Sequence, residues 1–122
     1  MAAENIPNDD RFDLVIAFIC IHDMAQPRAA LVSIRRALKS DGVFLWSEAD
    51  ASDQLEENLT QVGRTMDGAN TMHCLTVAHG GEGLGSVIGE KLARELAREA
   101  GFGGVERLPV KNPYHQIFAV RK

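Results

Sequence analysis

Cysteine is scarce in this sequence of 122 residues, which contains only Cys20 and Cys74. The two residues lie far apart, and no CxxC spacing occurs. The pattern therefore indicates neither a disulfide framework nor a paired-cysteine metal site. Such cysteine usage is typical of a reducing compartment, and we expect a cytoplasmic protein.

Basic clusters and long apolar runs are also missing. With 13 Lys and Arg residues against 17 Asp and Glu residues, the formal net charge is -4, and no basic cluster exceeds Arg35 and Arg36. A broad nucleic-acid surface is therefore not expected. No apolar run approaches the roughly 18 residues that span a bilayer, and residues 1–10 have neither the basic nor the apolar part of a signal peptide. We expect neither secretion nor membrane insertion.

The most informative stretch is residues 12–49, which predicts a strand, a helix and a second strand. Residues 14–21 form a continuous apolar run rich in Val, Ile and Phe, as in strands that are buried on both faces. Pro27 suits the first helical position, and Gly42 is predicted to end the helix before a strand begins at residues 43–46. The apolar helical face consists of Ala30, Leu31, Ile34 and Leu38. Such a unit is normally parallel and right-handed.

The remaining sequence predicts two more helices and a terminal hairpin. A second helix carries an apolar stripe made of Leu55, Leu59, Val62 and Met66. Residues 71–78 have some strand character, and a helix from Ser86 to Ala100 is closed by Gly101. Residues 105–110 and 115–121 are expected to pair as antiparallel strands. We interpret residues 1–11 as a flexible lead-in and 12–122 as one domain.

A glycine-rich loop occupies residues 79–86, after a candidate strand and before a helix. This is where a dinucleotide fingerprint would lie, but Gly81 and Gly83 are followed by Ser86 rather than by a third glycine, and no phosphate-binding lysine follows. The failed spacing weakens the hypothesis of an NAD-linked oxidoreductase. We predict instead a close-packed turn with glycines at positive φ, belonging to a segment that covers the sheet.

The carboxyl ends of the predicted parallel strands mark the rim of any ligand site, at residues 18–23 and 47–50. His22 and Asp23 leave the first strand together, and a histidine of near-neutral pKa can take a proton from a hydroxyl or an amine. They are our candidate catalytic residues. A purely structural interpretation stays open, in which His22 binds a backbone carbonyl and Asp23 caps the following helix.

His73, Cys74 and His79 are residue types that can bind a metal and lie close together in the sequence. Their spacings of one and five residues, in a segment without a second ligand pair, are weak support for zinc. His22 is too remote in sequence to be counted with them. We therefore predict no metal site.

The chain resembles the C-terminal portion of a class I S-adenosylmethionine-dependent methyltransferase. The fourth strand, the next helix and the fifth strand of that family are similar to FDLVIAFICIHDMAQPRAALVSIRRALKSDGVFLWSE, and its closing helix and hairpin are similar to REAGFGGVERLPVKNPYHQIFAVRK. The short stretches IHD, ENL, TMHCLTVAHGGEGLG and AGF resemble a bacterial group of small-molecule methyltransferases that are often described as transcriptional regulators.

The resemblance implies an α/β fold with a partial Rossmann-like sheet in a three-layer αβα arrangement, with parallel strands and a C-terminal antiparallel hairpin. The expected strand order is first, second, fourth, third. The implied cofactor is S-adenosylmethionine, with candidate contacts at Phe18, Ile19 and Cys20. A small-molecule methyl acceptor would contact His73, Glu82 and Glu48.

Members of that family carry three further strands and a glycine-rich cofactor loop ahead of the matching part. We therefore expect this chain to be inactive alone, while the alternative is a non-catalytic binding module derived from a methyltransferase. The run at residues 14–21 would then expose an apolar edge, because it contains no Lys, Pro or bulge that blunts edge pairing. We expect a homodimer, or a separate cofactor-binding chain, at that edge.

Overall fold

The computed structural model describes residues 2–77, 80–85 and 87–122. Four strands are present among them, namely β1 Phe12–Phe18, β2 Leu38–Ala49, β3 Gly104–Arg107 and β4 His115–Arg121. The α-helices are α1 Pro27–Ala37, α2 Gln61–Ala69, the single turn α3 Leu75–Val77 and α4 Glu90–Glu99. Short 3-10 turns lie at Ala3–Asn5 and Leu55–Asn58, and a π-helical turn lies at Asn70–Cys74.

The strands form one sheet in the order β1-β2-β4-β3. β1 and β2 are parallel, whereas β4 is antiparallel to both of its neighbours. This arrangement confirms the predicted order, and α1 is the crossover between the two parallel strands. None of the helices in the described part of the chain is long and apolar enough to cross a membrane.

One face of the sheet, which we call the covered face, holds the core. Register places Ala17, Trp46 and Phe118 side by side across three strands, and side chains two residues away in a strand point to the same face. Helices α1 and α4 cover them. The helix residues that are buried there are Ala30, Leu31, Ile34, Ala93, Leu96 and Ala97. The predicted apolar stripe of α1 is thereby confirmed for Ala30, Leu31 and Ile34.

The opposite face of β1, which we call the open face, is apolar but exposed. Leu14, Ile16 and Phe18 alternate with the buried residues of β1, and they are 51%, 53% and 54% exposed. Val43 and Leu45 continue this face on β2 and are half-buried. Among the described residues, β1 pairs with β2 alone and forms one edge of the sheet.

The boundary between α1 and β2 differs from the prediction. The helix ends at Ala37, and Leu38, which was assigned to it, already pairs with Phe12 in the sheet. Gly42 lies inside β2 and does not end the helix. A Cβ at Gly42 would meet the Leu38 side chain at 2.9 Å and the Phe12 carbonyl oxygen at 3.0 Å, so a larger residue would have to displace its neighbours.

Residues 55–77 are the second departure from the prediction. Leu55 and Leu59 are 66% exposed and do not form a buried helical stripe, because a 3-10 turn precedes the true start of α2 at Gln61. Residues 71–77 are helical, so their strand character was a wrong interpretation. The sequence is compatible with both periods over so short an apolar run, and tertiary contacts decide.

The two ends of α4 show why this helix is well defined. Asp53 accepts hydrogen bonds from the backbone N–H groups of Gly89, at 2.9 Å, and Lys91, at 3.0 Å, so it caps the helix from a distant part of the chain. The helix begins at Glu90, four residues later than predicted from Ser86, which lies outside the described residues. At the other end Gly101 has a φ of 89°, as predicted, and Phe102 N–H bonds the Ala97 carbonyl.

The glycine-rich loop lies against the turn that precedes α1. The Glu82 N–H bonds the Ala25 carbonyl at 3.0 Å, and a Cβ at Gly81 would collide with the Ala25 backbone. Gly83 and Gly85 have φ values of 62° and 74°. The prediction of a close-packed turn with positive φ is therefore confirmed for residues 80–85.

Replacing Gly85 by Ala is expected to lower the free energy of unfolding by more than about 1 kcal/mol, because the residue is left-handed and a Cβ there would collide with the Asn70 side chain. Gly83→Ala should also destabilise the fold through its positive φ alone. Chemical denaturation followed by circular dichroism gives both values.

Gly68→Ala is the matched control. Gly68 lies in α2 with no atom within 4 Å of its Cβ position, so alanine should stabilise the helix by up to about 1 kcal/mol. Equal unfolding energies for Gly85→Ala and the unchanged protein would contradict the packing role of the loop.

Candidate active site

The carboxyl ends of β1 and β2 meet beside the turn that leads to α1. Just beyond β1, the Ile19 N–H bonds the Ser47 carbonyl at 3.0 Å, which keeps the two strand ends together. Trp46 and Glu48 both point to the covered face, because they are two residues apart in β2. His22, three residues after Ile19, reaches the same place.

A buried carboxylate is the centre of this site. Glu48 and His22 are 0% and 2% exposed, and His22 Nδ1 lies 2.8 Å from Glu48 Oε2. Trp46 Nε1 donates to Glu48 Oε1 at 2.6 Å. An unpaired carboxylate at this depth would cost several kcal/mol, so these two donors are what allow the charge to be buried. Since a carboxylate only accepts, the His22 Nδ1 carries hydrogen.

Asp23 lies on the other side of the imidazole. Its Oδ1 is 3.3 Å from His22 Nε2, and its side chain is 35% exposed, so this carboxylate connects the buried pair with the surface. Oδ1 itself is buried and has no hydrogen-bond partner among the described residues. The structural alternative, in which Asp23 caps α1, is wrong. Gln26 is the N-cap of α1, and no side chain accepts a capping hydrogen bond from this helix.

Two groups here have a shifted pKa. Burial lowers the pKa of the His22 imidazole, but the hydrogen bond to Glu48 and the charges of Glu48 and Asp23 outweigh it, so the pKa is raised above 6.5. Burial, followed by the nearby charge of Glu48, raises the pKa of the Cys20 thiol. The raised pKa favours the protonated form of the imidazole, whereas the Cys20 thiol stays protonated near neutral pH.

The predicted cofactor residues follow β1 directly. Phe18 is exposed, and Ile19 and Cys20 are half-buried. Ile19 has a φ of 48°, a conformation that β-branched residues rarely adopt. Strain of this kind persists where the surrounding structure enforces it and is common at ligand sites.

The predicted acceptor residues lie in three different settings. Glu48 is buried and hydrogen-bonded to His22. Glu82 forms an ion pair with Arg28 of α1, and His73 is exposed on the π-helical turn. The structure thus brings His22, Asp23 and Glu48 together, whereas Glu82 lies on the glycine-rich loop and His73 on the π-helical turn.

Two neighbours of His22 were not predicted from the sequence. The first is the bond to Glu48, which only the side-by-side arrangement of β1 and β2 reveals. The second is Cys74: its Sγ, the His22 imidazole and the Asp23 carboxylate all lie within 4.8 Å of one another. His79, the third residue of the pattern His73, Cys74 and His79, lies outside the described residues.

Comparison with known proteins identifies the family. A family model described as a methyltransferase domain matches residues 2–101. No match to this sequence was found among curated proteins. The fold of the whole chain recurs in solved structures, which share too little sequence identity to show more than the fold.

Three of these structures illustrate the match. An S-adenosylmethionine-dependent methyltransferase of Thermotoga maritima is 19% identical, with a TM-score of 0.67 over 100% of this chain and 62% of that protein. An O-methyltransferase family protein of Burkholderia thailandensis is 16% identical, with a TM-score of 0.66 over 99% of this chain and 33% of the other. The methyltransferase CalH, solved with SAH, is 16% identical, with a TM-score of 0.64 over 100% of this chain and 35% of CalH.

This chain therefore spans less than two thirds of the length of each of these structures. The sheet order, the parallel β1 and β2 and the antiparallel β4 correspond to part of the Rossmann-like class I methyltransferase fold. With the family model covering residues 2–101, this chain belongs to the methyltransferase domain family.

Proposed function

We propose that the chain is the C-terminal part of a cytoplasmic S-adenosylmethionine-dependent methyltransferase that acts on a small molecule. The observation that carries this proposal is the buried pair of His22 and Glu48 at the carboxyl ends of two parallel strands, in a chain of the methyltransferase family. Ligands of open α/β sheets bind at that end. A solved neighbour of the same fold, CalH, holds SAH.

The cofactor would contact the residues just after β1. The exposed ring of Phe18 offers an apolar surface for the adenosine or, through its π-face, for the sulfonium cation. The left-handed turn at Ile19 redirects the backbone away from the strand and leaves Cys20 beside the site. A protonated thiol at Cys20 would be a neutral neighbour for the cofactor.

The polar residues would manage the proton of the methyl acceptor. When bound, S-adenosylmethionine would supply the methyl group and leave as a neutral thioether, and the acceptor hydroxyl or amine would have to lose a proton. His22 is the base in our proposal, with Glu48 stabilising the imidazolium that forms. His22 is buried, whereas the Asp23 carboxylate beside it is partly exposed to solvent. Asp23 would therefore guide the acceptor.

The acceptor would be enclosed by the segments that carry His73 and Glu82. The glycine-rich loop is held near α1 by the Glu82 N–H bond to Ala25 and by the ion pair of Glu82 with Arg28. His73 precedes Cys74, whose thiol is close to His22. Positioning by such covering segments supplies much of the rate of a transfer that needs in-line geometry.

The rest of the cofactor site would come from other polypeptide segments. This chain spans 62% of the Thermotoga protein and 33% of the Burkholderia protein, and by family resemblance the glycine-rich cofactor loop precedes the matching region. We therefore propose that the 122 residues alone bind S-adenosylmethionine weakly and transfer no methyl group.

The edge of β1 supports a proposal about assembly. Its free N–H and C=O groups are flanked by the exposed Leu14, Ile16 and Phe18 of the open face, and Asp13 is neutralised by Lys39 at 2.7 Å. Such an edge favours strand pairing. A second copy presents the same edge, and two identical edges can pair about a twofold axis. We propose that the isolated chain forms a homodimer through β1.

S-adenosylmethionine is expected to bind the isolated chain with a Kd no tighter than about 1 mM, equivalent to about -4 kcal/mol. Amide NMR shifts should be confined to residues 18–23 and 47–50. NAD, added at the same concentration, should shift neither these amides nor those of residues 80–85.

Each outcome of this titration is informative. Micromolar binding in calorimetry would contradict the incomplete site, and the absence of any shift at 18–23 would contradict the cofactor assignment. Saturable shifts with NAD would favour a dinucleotide enzyme instead.

Ile16→Lys is expected to convert a dimer into a monomer in light scattering. Ile16 is 53% exposed, so lysine can reach solvent in the folded monomer, whereas at a strand interface it would bury a charge. Leu59→Lys is the control, since Leu59 is more exposed and lies outside the sheet; this variant should remain dimeric.

Circular dichroism establishes that both variants are folded. An unchanged chain that stays monomeric at high concentration, or a Leu59→Lys variant that dissociates equally, would refute pairing through β1.

A further inference from the structure

Three side chains of types that can bind metals lie close together at His22, although they come from two distant segments. His22 and Asp23 follow β1, whereas Cys74 ends the π-helical turn Asn70–Cys74. The atoms that could bind a metal all lie within 4.8 Å of one another. His22 and Cys74 are buried, and Asp23 is partly open to solvent.

The distance between the His22 and Asp23 ligand atoms matches the spacing around a tetrahedral ion. With metal–nitrogen and metal–oxygen bonds of about 2.0–2.2 Å and a metal–sulfur bond of about 2.3 Å, neighbouring ligand atoms are roughly 3.3–3.6 Å apart. His22 Nε2 and Asp23 Oδ1 are 3.3 Å apart. Cys74 Sγ lies within 4.8 Å of both atoms, so it would have to move by at most about 1.2 Å to complete this spacing.

The surroundings of His22 also match those of a metal ligand. A ligating histidine usually donates its other ring N–H to a carboxylate, which fixes the tautomer and strengthens the ligand. Glu48 accepts from Nδ1 at 2.8 Å and is itself held by Trp46 Nε1 at 2.6 Å. With hydrogen on Nδ1, the lone pair of neutral His22 at Nε2 points to the Asp23 side of the ring.

Asp23 Oδ1 supplies independent support. It is buried, and within the described part of the chain it has no hydrogen-bond partner. Buried carboxylate oxygens are normally paired, so a cation between Oδ1 and Nε2 would satisfy both atoms at once.

We propose that His22, Asp23 and Cys74 bind one zinc ion. Imidazole and thiolate ligands favour zinc over magnesium or calcium, and three protein ligands leave a fourth position on the solvent side of Asp23. The site does not depend on cofactor binding. Zinc and a proton compete for the same lone pair, so zinc-bound His22 no longer serves as the base of the proposed methyl transfer.

Zinc binding is tested directly on the purified chain. Isothermal titration with zinc sulfate should give one ion per chain with a micromolar or tighter Kd, and magnesium should give no heat of binding. Cobalt(II), used in place of zinc, should produce the visible bands of a tetrahedral ion and a thiolate-to-cobalt charge-transfer band in the near ultraviolet.

Variants locate the site. Cys74→Ser should abolish the charge-transfer band, and Asp23→Asn should weaken zinc binding at least tenfold; Asp23 is partly exposed, so this variant should fold. His73→Gln and Cys20→Ser are the controls and should bind as the unchanged chain does. Cobalt spectra without a thiolate band, zinc binding unchanged in Cys74→Ser and Asp23→Asn, or binding lost in His73→Gln would each overturn the proposal. Loss of S-adenosylmethionine binding alone would leave it intact.

Discussion

The burial of one carboxylate, that of Glu48, constrains the whole carboxyl end of the sheet. Its charge is tolerated in the core because Trp46 and His22 both donate to it, at 2.6 and 2.8 Å. Removing either donor would leave a buried, partly unsatisfied anion, which costs much more than the pair contributes. Trp46 is part of the covered face, so the position of His22, and with it the turn before α1, is tied to the packing of the core.

Two further polar residues restrain the same end of the sheet. Gln116, buried on β4, donates to the carbonyls of Ala49 and Ile88, each at 2.9 Å, and so joins the end of β2 to the segment before α4. Asp53 then caps α4. The end of β2 is thus restrained on both sides, and the Ile19 N–H bond to the Ser47 carbonyl ties the strained residue after β1 to that strand.

The sequence predicted the parts of this architecture that depend on periodicity. The parallel unit, the hairpin and the closure by Gly101 follow from local patterns, and the strand order followed from the family resemblance. The end of α1 could not be read locally, because Leu38 fits a helical stripe and leaves it only to pair with Phe12. Leu55 and Leu59 have a helical spacing but no surface to cover. The hydrogen bond of His22 to Glu48 and its proximity to Cys74 join distant segments, so no local pattern contains them.

The two faces of the sheet differ in character: the covered face carries the polar cluster, whereas the open face is apolar. The polar cluster is built on the covered face from β2, the turn after β1 and the π-helical turn, all within the described residues. The open face, with Leu14, Ile16 and Phe18, contributes nothing to that cluster and has exposed apolar surface to bury. Phe18 ends β1 and lies next to the strained Ile19. In our proposals, a chain that pairs with the β1 edge would therefore approach the cofactor position at Phe18, whereas the candidate zinc ligands His22, Asp23 and Cys74 belong to the polar cluster.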